Sequence, residues 1–161
     1  MLPVKENQAY KGRGISMRTR YFALILGIFI LLLGLSGFVP GLLTLPNNAP
    51  AIKVDAGYGY QLGLFPTNVI FNLIKVAVGA LGIAAFWSFG FARSYAQIVA
   101  ISYALLAVLG LIPGANTMFG LIPIFGNNVW FHGVTAAIAA YFGFAEPVSP
   151  QEVNQAGRRM V

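Results

Sequence analysis

Two similar stretches of the sequence carry polar side chains into otherwise apolar segments. The first is FPTNVIFNLIK, residues 65–75, and the second is FGNNVWFHGVT, residues 125–135. Laid in register, they place asparagine opposite asparagine and His132 opposite Asn72. Amides, an ammonium and an imidazole can donate hydrogen bonds, and an imidazole can also relay a proton. The candidate ligand- or pigment-binding residues are therefore Asn68, Asn72, Lys75, Asn128 and His132.

Each candidate also has a purely structural interpretation. Asn68 and Asn128 stand where helices are predicted to begin, and asparagine is a favoured N-cap. Lys75 lies either in a pathway or binding site, or extends along its own helix toward the lipid headgroups. His132 is suited to ligating a chlorophyll or haem, to relaying a proton, or to an interhelical hydrogen bond. Gln97 and Ser102 are further candidates for interhelical hydrogen bonds.

The composition indicates an integral membrane protein. Of 161 residues, 58% are hydrophobic and 9% are charged, whereas a soluble domain carries about a quarter charged residues. The chain has no cysteine and one histidine. Disulfides, thiolate chemistry and a multi-histidine metal site within one chain are therefore excluded.

The sequence contains no recognisable catalytic constellation. Its four acidic residues all lie outside the apolar segments, which argues against an intramembrane protease or a carboxylate-driven pump. There is no nucleotide-binding loop and no hydrolase elbow. We therefore predict neither an enzyme nor a metal site.

Four apolar segments predict an all-α integral membrane four-helix bundle. A span needs about 20 apolar residues, and the segments lie at about residues 21–43, 66–89, 94–112 and 128–144. The bundle domain is predicted to comprise residues 21–144, between a basic segment, 1–20, and a polar tail, 145–161. In the basic segment, Pro3, Gly12 and Gly14 disfavour a stable helix.

The basic residues predict the orientation of the bundle. With the N-terminus cytoplasmic, eight lysines and arginines fall on the inner side, and the outer loops hold only Lys53. This asymmetry follows the positive-inside rule and predicts that both termini are cytoplasmic. The net charge of +6 gathers beside an apolar run, which indicates contact with anionic lipid and no nucleic-acid partner.

The helix ends also repeat. The first predicted span ends in GFVPG, residues 37–41, and the third ends in GLIPG, residues 110–114. Together with the two polar stretches, this predicts two helical hairpins forming a parallel repeat about a pseudo-twofold axis along the membrane normal. Convergent helix-end signals are the alternative explanation. The two GxxxG patterns match a helix-packing motif, but their prolines favour helix termination.

Two regions of the chain resemble the small four-span bacterial membrane proteins grouped as domain of unknown function 4383. They are residues 57–83 and 105–144, which hold the polar stretches and the second GxxxG pattern. The resemblance covers about residues 20–144 and is closest to members from phototrophic bacteria. It implies four helices and a multi-pass protein of the bacterial inner membrane or the thylakoid membrane, with no established activity. The family's second span typically carries histidines where this chain has Phe71 and Lys75, so a metal or haem site held by them would be mostly lost.

The sequence thus predicts a non-enzymatic accessory or structural subunit of a larger membrane complex. Its expected partners are the lipid bilayer and that complex, with a photosystem-type assembly as the first candidate. No cofactor is required by this interpretation, although chlorophyll or another pigment is a candidate ligand of His132. The alternative function is a carrier or sensor that binds a small ligand or proton between the polar openings of the second and fourth spans.

Overall fold

The computed structural model describes residues 4–147 and is mostly helical. Its four α-helices are α1 Val4–Ser36, α2 Val69–Ala85, α3 Phe89–Gly110 and α4 Asn127–Ala140. Short 3-10 turns occur at Pro40–Leu42 and Met118–Gly120, and a π-helical turn, Tyr141–Ala145, extends α4. Residues 1–3 of the predicted basic segment and residues 148–161 of the predicted tail lie outside the described residues.

Helix α1 is longer than the sequence suggests. It runs from Val4 through Gly12 and Gly14, so the expectation that the basic segment is non-helical is wrong. A glycine inside a helix costs only about 1 kcal/mol. Extending an existing helix is far easier than nucleating one, and the apolar part of α1 provides the helix from which the N-terminal turns extend.

The fold is not all-α, because the loop between α1 and α2 forms a small sheet. Strands β1 Leu43–Thr44, β2 Gly59–Gln61 and β3 Phe65–Thr67 pair antiparallel in the order β1-β2-β3. The turn between β2 and β3 holds Leu62 and Gly63 at positive φ. A loop packed against the bundle must satisfy its backbone hydrogen bonds internally, and the strand ladder does so.

The helices pack as two sequential pairs. Helix α1 lies mainly against α2, and α3 mainly against α4, while smaller contacts join α1 and α2 to α3. The ends of α1 and α3 and the starts of α2 and α4 therefore meet at one end of the bundle, beneath the sheet. The internal repeat and its pseudo-twofold axis stay predictions.

Glycines set the distance between α1 and α2. A Cβ added at Gly27 would lie 2.6 Å from the backbone nitrogen of Ile83, and one added at Gly79 would lie 2.7 Å from the carbonyl oxygen of Gly27. Both neighbours are backbone atoms that cannot move aside. The two helices thus touch backbone to backbone, a close approach that small residues at a helix interface allow.

The predicted GxxxG patterns act as helix ends. Helix α1 ends one residue before Gly37 and α3 ends at Gly110, whereas Gly41 and Gly114 have no neighbour within 4 Å of an added Cβ. The prediction of helix termination is confirmed. Gly37 and Gly110 nevertheless lie in tight contacts, with the Asn72 side chain and with Ile124 respectively.

Large apolar side chains cover the outside of all four helices. Two helical segments, Met17–Ser36 and Phe89–Gly110, are long and apolar enough to cross a membrane, and α2 is a shorter apolar helix. Soluble monomers rarely expose contiguous apolar patches larger than a few hundred Å². The exposed set includes Ile25, Phe29, Leu32, Leu73, Leu81, Ile98, Ile101, Leu105, Trp130, Val134 and Ile138.

The substitution Gly79→Leu tests the α1–α2 contact. The added side chain would meet the α1 backbone, and overpacking of this kind costs about 1–3 kcal/mol or more. We expect a lower apparent Tm in detergent and less folded protein by size-exclusion chromatography. Ala80→Leu, at an exposed neighbouring position of α2, is the matched control. Equal Tm values for the two variants would contradict the close contact.

Candidate functional site

All five predicted site residues are buried at the end of the bundle beneath the sheet. Their side chains are at most 5% exposed, and four of the five are essentially inaccessible. The structure divides them into three groups. Asn72 and Lys75 share one hydrogen-bonded network, Asn68 and Asn128 hold the loops, and His132 lies among aromatic rings.

The ammonium of Lys75 is enclosed by three partners. Its Nζ donates to the hydroxyl oxygen of Thr67 at 3.0 Å and to Oε1 of Gln61 at 3.5 Å. The same Nζ lies 4.3 Å from the ring centroid of Phe71, in the geometry of a cation–π contact. Two hydrogen bonds and one cation–π contact thus surround the ammonium within the fold.

The network continues from Lys75 into helix α1. The Thr67 hydroxyl donates to Oδ1 of Asn72, and Nδ2 of Asn72 donates to the carbonyl oxygen of Gly37 at 3.0 Å. On the other side, Nε2 of Gln61 donates to the carbonyl oxygen of Leu33 at 2.6 Å. One lysine therefore links the end of α1, two strands of the sheet and the start of α2.

Lys75 lies near the start of α2. The helix begins at Val69, and at 1.5 Å per residue Lys75 lies about 9 Å along it. The side chain does turn toward that end, but it stops beneath the sheet and does not reach the surface. The ammonium is thus buried and hydrogen-bonded within the chain, and the two roles predicted for Lys75 stay predictions.

Asn68 caps α2 and ties two loops to it. Its Oδ1 accepts from the backbone N–H of Phe71, which confirms the predicted N-cap. Its Nδ2 donates to the carbonyl oxygens of Val54 and Leu121 at 2.9 and 2.7 Å. One amide thus caps a helix and joins the loop after α1 to the loop after α3.

Asn128 is not the cap of α4, contrary to the prediction. The N-cap position belongs to Gly126, and Asn128 lies in the first turn of the helix. Its Nδ2 points inward and donates to the carbonyl oxygens of Pro66 and Pro123 at 2.7 and 2.8 Å. Pro123 lies in the loop before α4 and Pro66 in the edge strand β3, and a buried carbonyl without a donor is costly. Satisfying them favours the inward rotamer over a cap.

His132 lies in an aromatic pocket. Its ring is 5.0 Å from that of Tyr103 and 5.9 Å from that of Phe71, both edge-on. Within residues 17–147, its Nδ1 makes no hydrogen bond, so the interhelical hydrogen bond predicted for His132 is not made through this atom. The imidazole is only 1% exposed, and a chlorophyll or haem would have to displace these rings to reach Nδ1. Pigment binding at His132 stays a prediction.

Residues at the opposite end of the bundle hold the helix ends together. Nε of Arg93 and Nε2 of Gln97 both donate to the carbonyl oxygen of Gly143 at 3.0 Å. The interhelical role predicted for Gln97 is confirmed, whereas Ser102 is exposed on the outer face of α3. Nε of Arg20 donates to the carbonyl oxygen of Phe86. These bonds satisfy carbonyls that helix ends leave without intrahelical donors.

Gln61 and Thr67 are the site residues that the sequence analysis missed. Both accept from Lys75, and both lie in strands of the unexpected sheet. A usable signal was present, because a lysine inside an apolar helix needs acceptors and these two are polar residues shortly before it in the chain. The part of the chain that the structure describes contains no cluster of His, Asp and Glu able to hold a metal ion.

Comparison with known proteins identifies the family of this chain. The family model for a domain of unknown function (DUF4383) matches residues 20–145, most of the chain. The chain belongs to this family. The match begins within α1 and includes the sheet, both polar helix openings and the end of α4. No curated protein and no solved structure matches the chain.

The substitution Thr67→Val tests the Lys75 network. Valine keeps the shape of threonine but leaves Lys75 without one acceptor and Asn72 Oδ1 without its donor. Leaving buried polar groups unpaired costs about 1–3 kcal/mol each, so we expect a clear fall in unfolding free energy in detergent. Thr44→Val, which alters an exposed hydroxyl of the same sheet, should change it by less than about 0.5 kcal/mol. Equal effects would contradict the network.

Proposed function

We propose that this chain is a non-enzymatic four-span membrane protein that serves as an accessory or structural subunit of a larger membrane complex. One observation carries the proposal. The side chains of four of the five polar candidates make hydrogen bonds to the sheet, to the carbonyl that follows α1 or to loop carbonyls. Their bonding capacity is directed to holding the bundle together, which leaves the apolar exterior as the surface offered to lipid and partners.

The apolar exterior and the helix lengths support the proposal of four spans. Helix α2 has 17 residues and is about 25 Å long, and α4 with its π-helical turn is of similar length. Both approach the hydrocarbon core of about 30 Å, and both carry exposed large apolar residues. Trp87, at the turn between α2 and α3, is 79% exposed, as expected of an anchor at the membrane interface.

The proposed orientation places both termini on the cytoplasmic side of a bacterial inner membrane or thylakoid membrane. Arg18, Arg20 and Arg93 lie at the end of the bundle opposite the sheet. Lys53 lies on the sheet side, where its backbone N–H donates to the carbonyl oxygen of Gly120. Under the positive-inside rule, the sheet and its loops then form an outer cap over the bundle.

The absence of native cysteine makes this topology directly measurable. We expect Asn47→Cys, in the outer loop, to react with a membrane-impermeant maleimide in intact cells. Ser88→Cys, in the turn between α2 and α3, should react only after the membrane is permeabilised. Ile101→Cys, on the outer face of α3, should resist labelling in both states because lipid covers it. Labelling of Ser88→Cys in intact cells would contradict the orientation.

The partner is proposed from the resemblance of the sequence to members from phototrophic bacteria. A photosystem-type or related bioenergetic complex is the first candidate. Affinity purification of the tagged chain from its own membranes in mild detergent should recover larger membrane subunits in stoichiometric amounts. The absorption spectrum of the same preparation shows whether pigment accompanies them. Migration of the chain alone on native gels would contradict the role as a subunit.

The second candidate is a carrier or sensor of a small ligand or proton around Asn72, Lys75 and His132. The observation that favours it is the buried Nδ1 of His132, which lacks a partner among the described residues. On this alternative, Lys75→Leu abolishes a flux or stress response and leaves assembly intact. The structural proposal expects the opposite, namely that Lys75→Leu impairs assembly and His132→Phe preserves it.

A further inference from the structure

A groove runs along the outside of the bundle between α1 and the end of α4. Its volume is about 550 Å³. The stacked rings of Phe22 and Phe142, with centroids 4.4 Å apart, form part of its wall. Ile25, Phe29 and Ile138 line it farther along and are all about half exposed or more. The groove lies between helices of different pairs, since α1 packs mainly against α2 and α4 mainly against α3.

The length of the groove matches one leaflet of a bilayer. Its lining on α1 extends from Arg18 to Phe29, a distance of about 16 Å at 1.5 Å per residue. Half of a hydrocarbon core of about 30 Å is about 15 Å. A partner helix that crosses the membrane would need a groove along both leaflets, so the length favours a lipid acyl chain over a helix.

The charge at one end of the groove identifies the headgroup. Arg18 lines this end and is exposed. Glu146 also lines it but is only 3% exposed, and its Oε2 accepts from the Thr19 hydroxyl at 3.4 Å. Among the described residues that line the groove, the accessible charge is therefore a guanidinium, which binds phosphate through a planar fork of donors. Tyr21 and Tyr141 flank the groove and suit the headgroup level.

We propose that the groove binds one phospholipid, with its phosphate on Arg18 and one acyl chain between α1 and the end of α4. This inference rests on the proposed membrane-spanning arrangement. It adds a specific lipid site in the leaflet on the basic side, distinct from the general lipid contact of the exterior. A lipid held there would fill the gap between the two helix pairs.

Native mass spectrometry of the full-length, delipidated protein tests the site, with synthetic phosphatidylglycerol as the probe. We expect one tightly bound lipid. Arg18→Gln should weaken binding about tenfold, the effect of one charge-assisted hydrogen bond. Ile138→Trp should abolish binding by filling the groove, and Ile25→Trp gives the same test if Ile138→Trp unfolds. Diacylglycerol, which lacks the phosphate, should bind wild type about as weakly as phosphatidylglycerol binds Arg18→Gln.

The matched controls are Lys53→Gln, a basic residue at the other end of the molecule, and Ile98→Trp, on the outer face of α3. Both should bind phosphatidylglycerol like wild type. Equal losses in the controls, or no loss in Arg18→Gln and Ile138→Trp, would overturn the site. Recovery of a polypeptide cross-linked to a photoreactive group at Ile138 in native membranes would also overturn it. Such failures leave the cysteine-labelling pattern unchanged, whereas failure of the proposed membrane arrangement would alter that pattern.

Discussion

The polar end of this bundle must supply partners for the ammonium of one buried lysine. An ammonium removed from water is stable only when its protons find partners, and Lys75 finds them in Gln61, Thr67 and the ring of Phe71. The two hydrogen-bond acceptors are supplied by the sheet. The sheet in turn is fixed to α1 through the bond from Gln61 to Leu33. The sheet and the helix bundle are thus one hydrogen-bonded unit.

Small and polar residues also hold the helices and loops together elsewhere in the molecule. Glycines such as Gly27 and Gly79 bring α1 and α2 into backbone contact, and the asparagines tie the loops to the helix starts. The polar candidates thus point inward, and large apolar side chains cover the outside of the helices. On the proposed membrane arrangement, such a chain offers partners shape and apolar surface rather than reactive groups. This arrangement is why we favour a structural role, with lipid as an integral part of the surface.

The sequence predicted the helical fold and the burial of the site better than it predicted the site's chemistry. Helical periodicity and helix-end signals are local, so the four helices and the cap at Asn68 could be found without coordinates. The sheet could not, because β1, β2 and β3 pair across a loop and each strand has only two or three residues. Without the sheet, Lys75 lacked visible acceptors and was interpreted as a pathway residue or a surface-seeking one. Asn128 was assigned as a cap because the inward carbonyls of Pro66 and Pro123 are set by tertiary contacts.

The central claim is that Lys75 and Thr67 stabilise the fold through each other. A double-mutant cycle with Lys75→Met and Thr67→Val, measured as unfolding free energy in a defined detergent, tests it most directly. Directly contacting residues in one network show interaction energies of about 0.5–3 kcal/mol, and we predict a value in this range, with the double variant less destabilised than the sum of the single variants. Strictly additive effects, or a Lys75→Met variant unchanged in stability, would contradict the claim and return Lys75 to consideration as a functional residue.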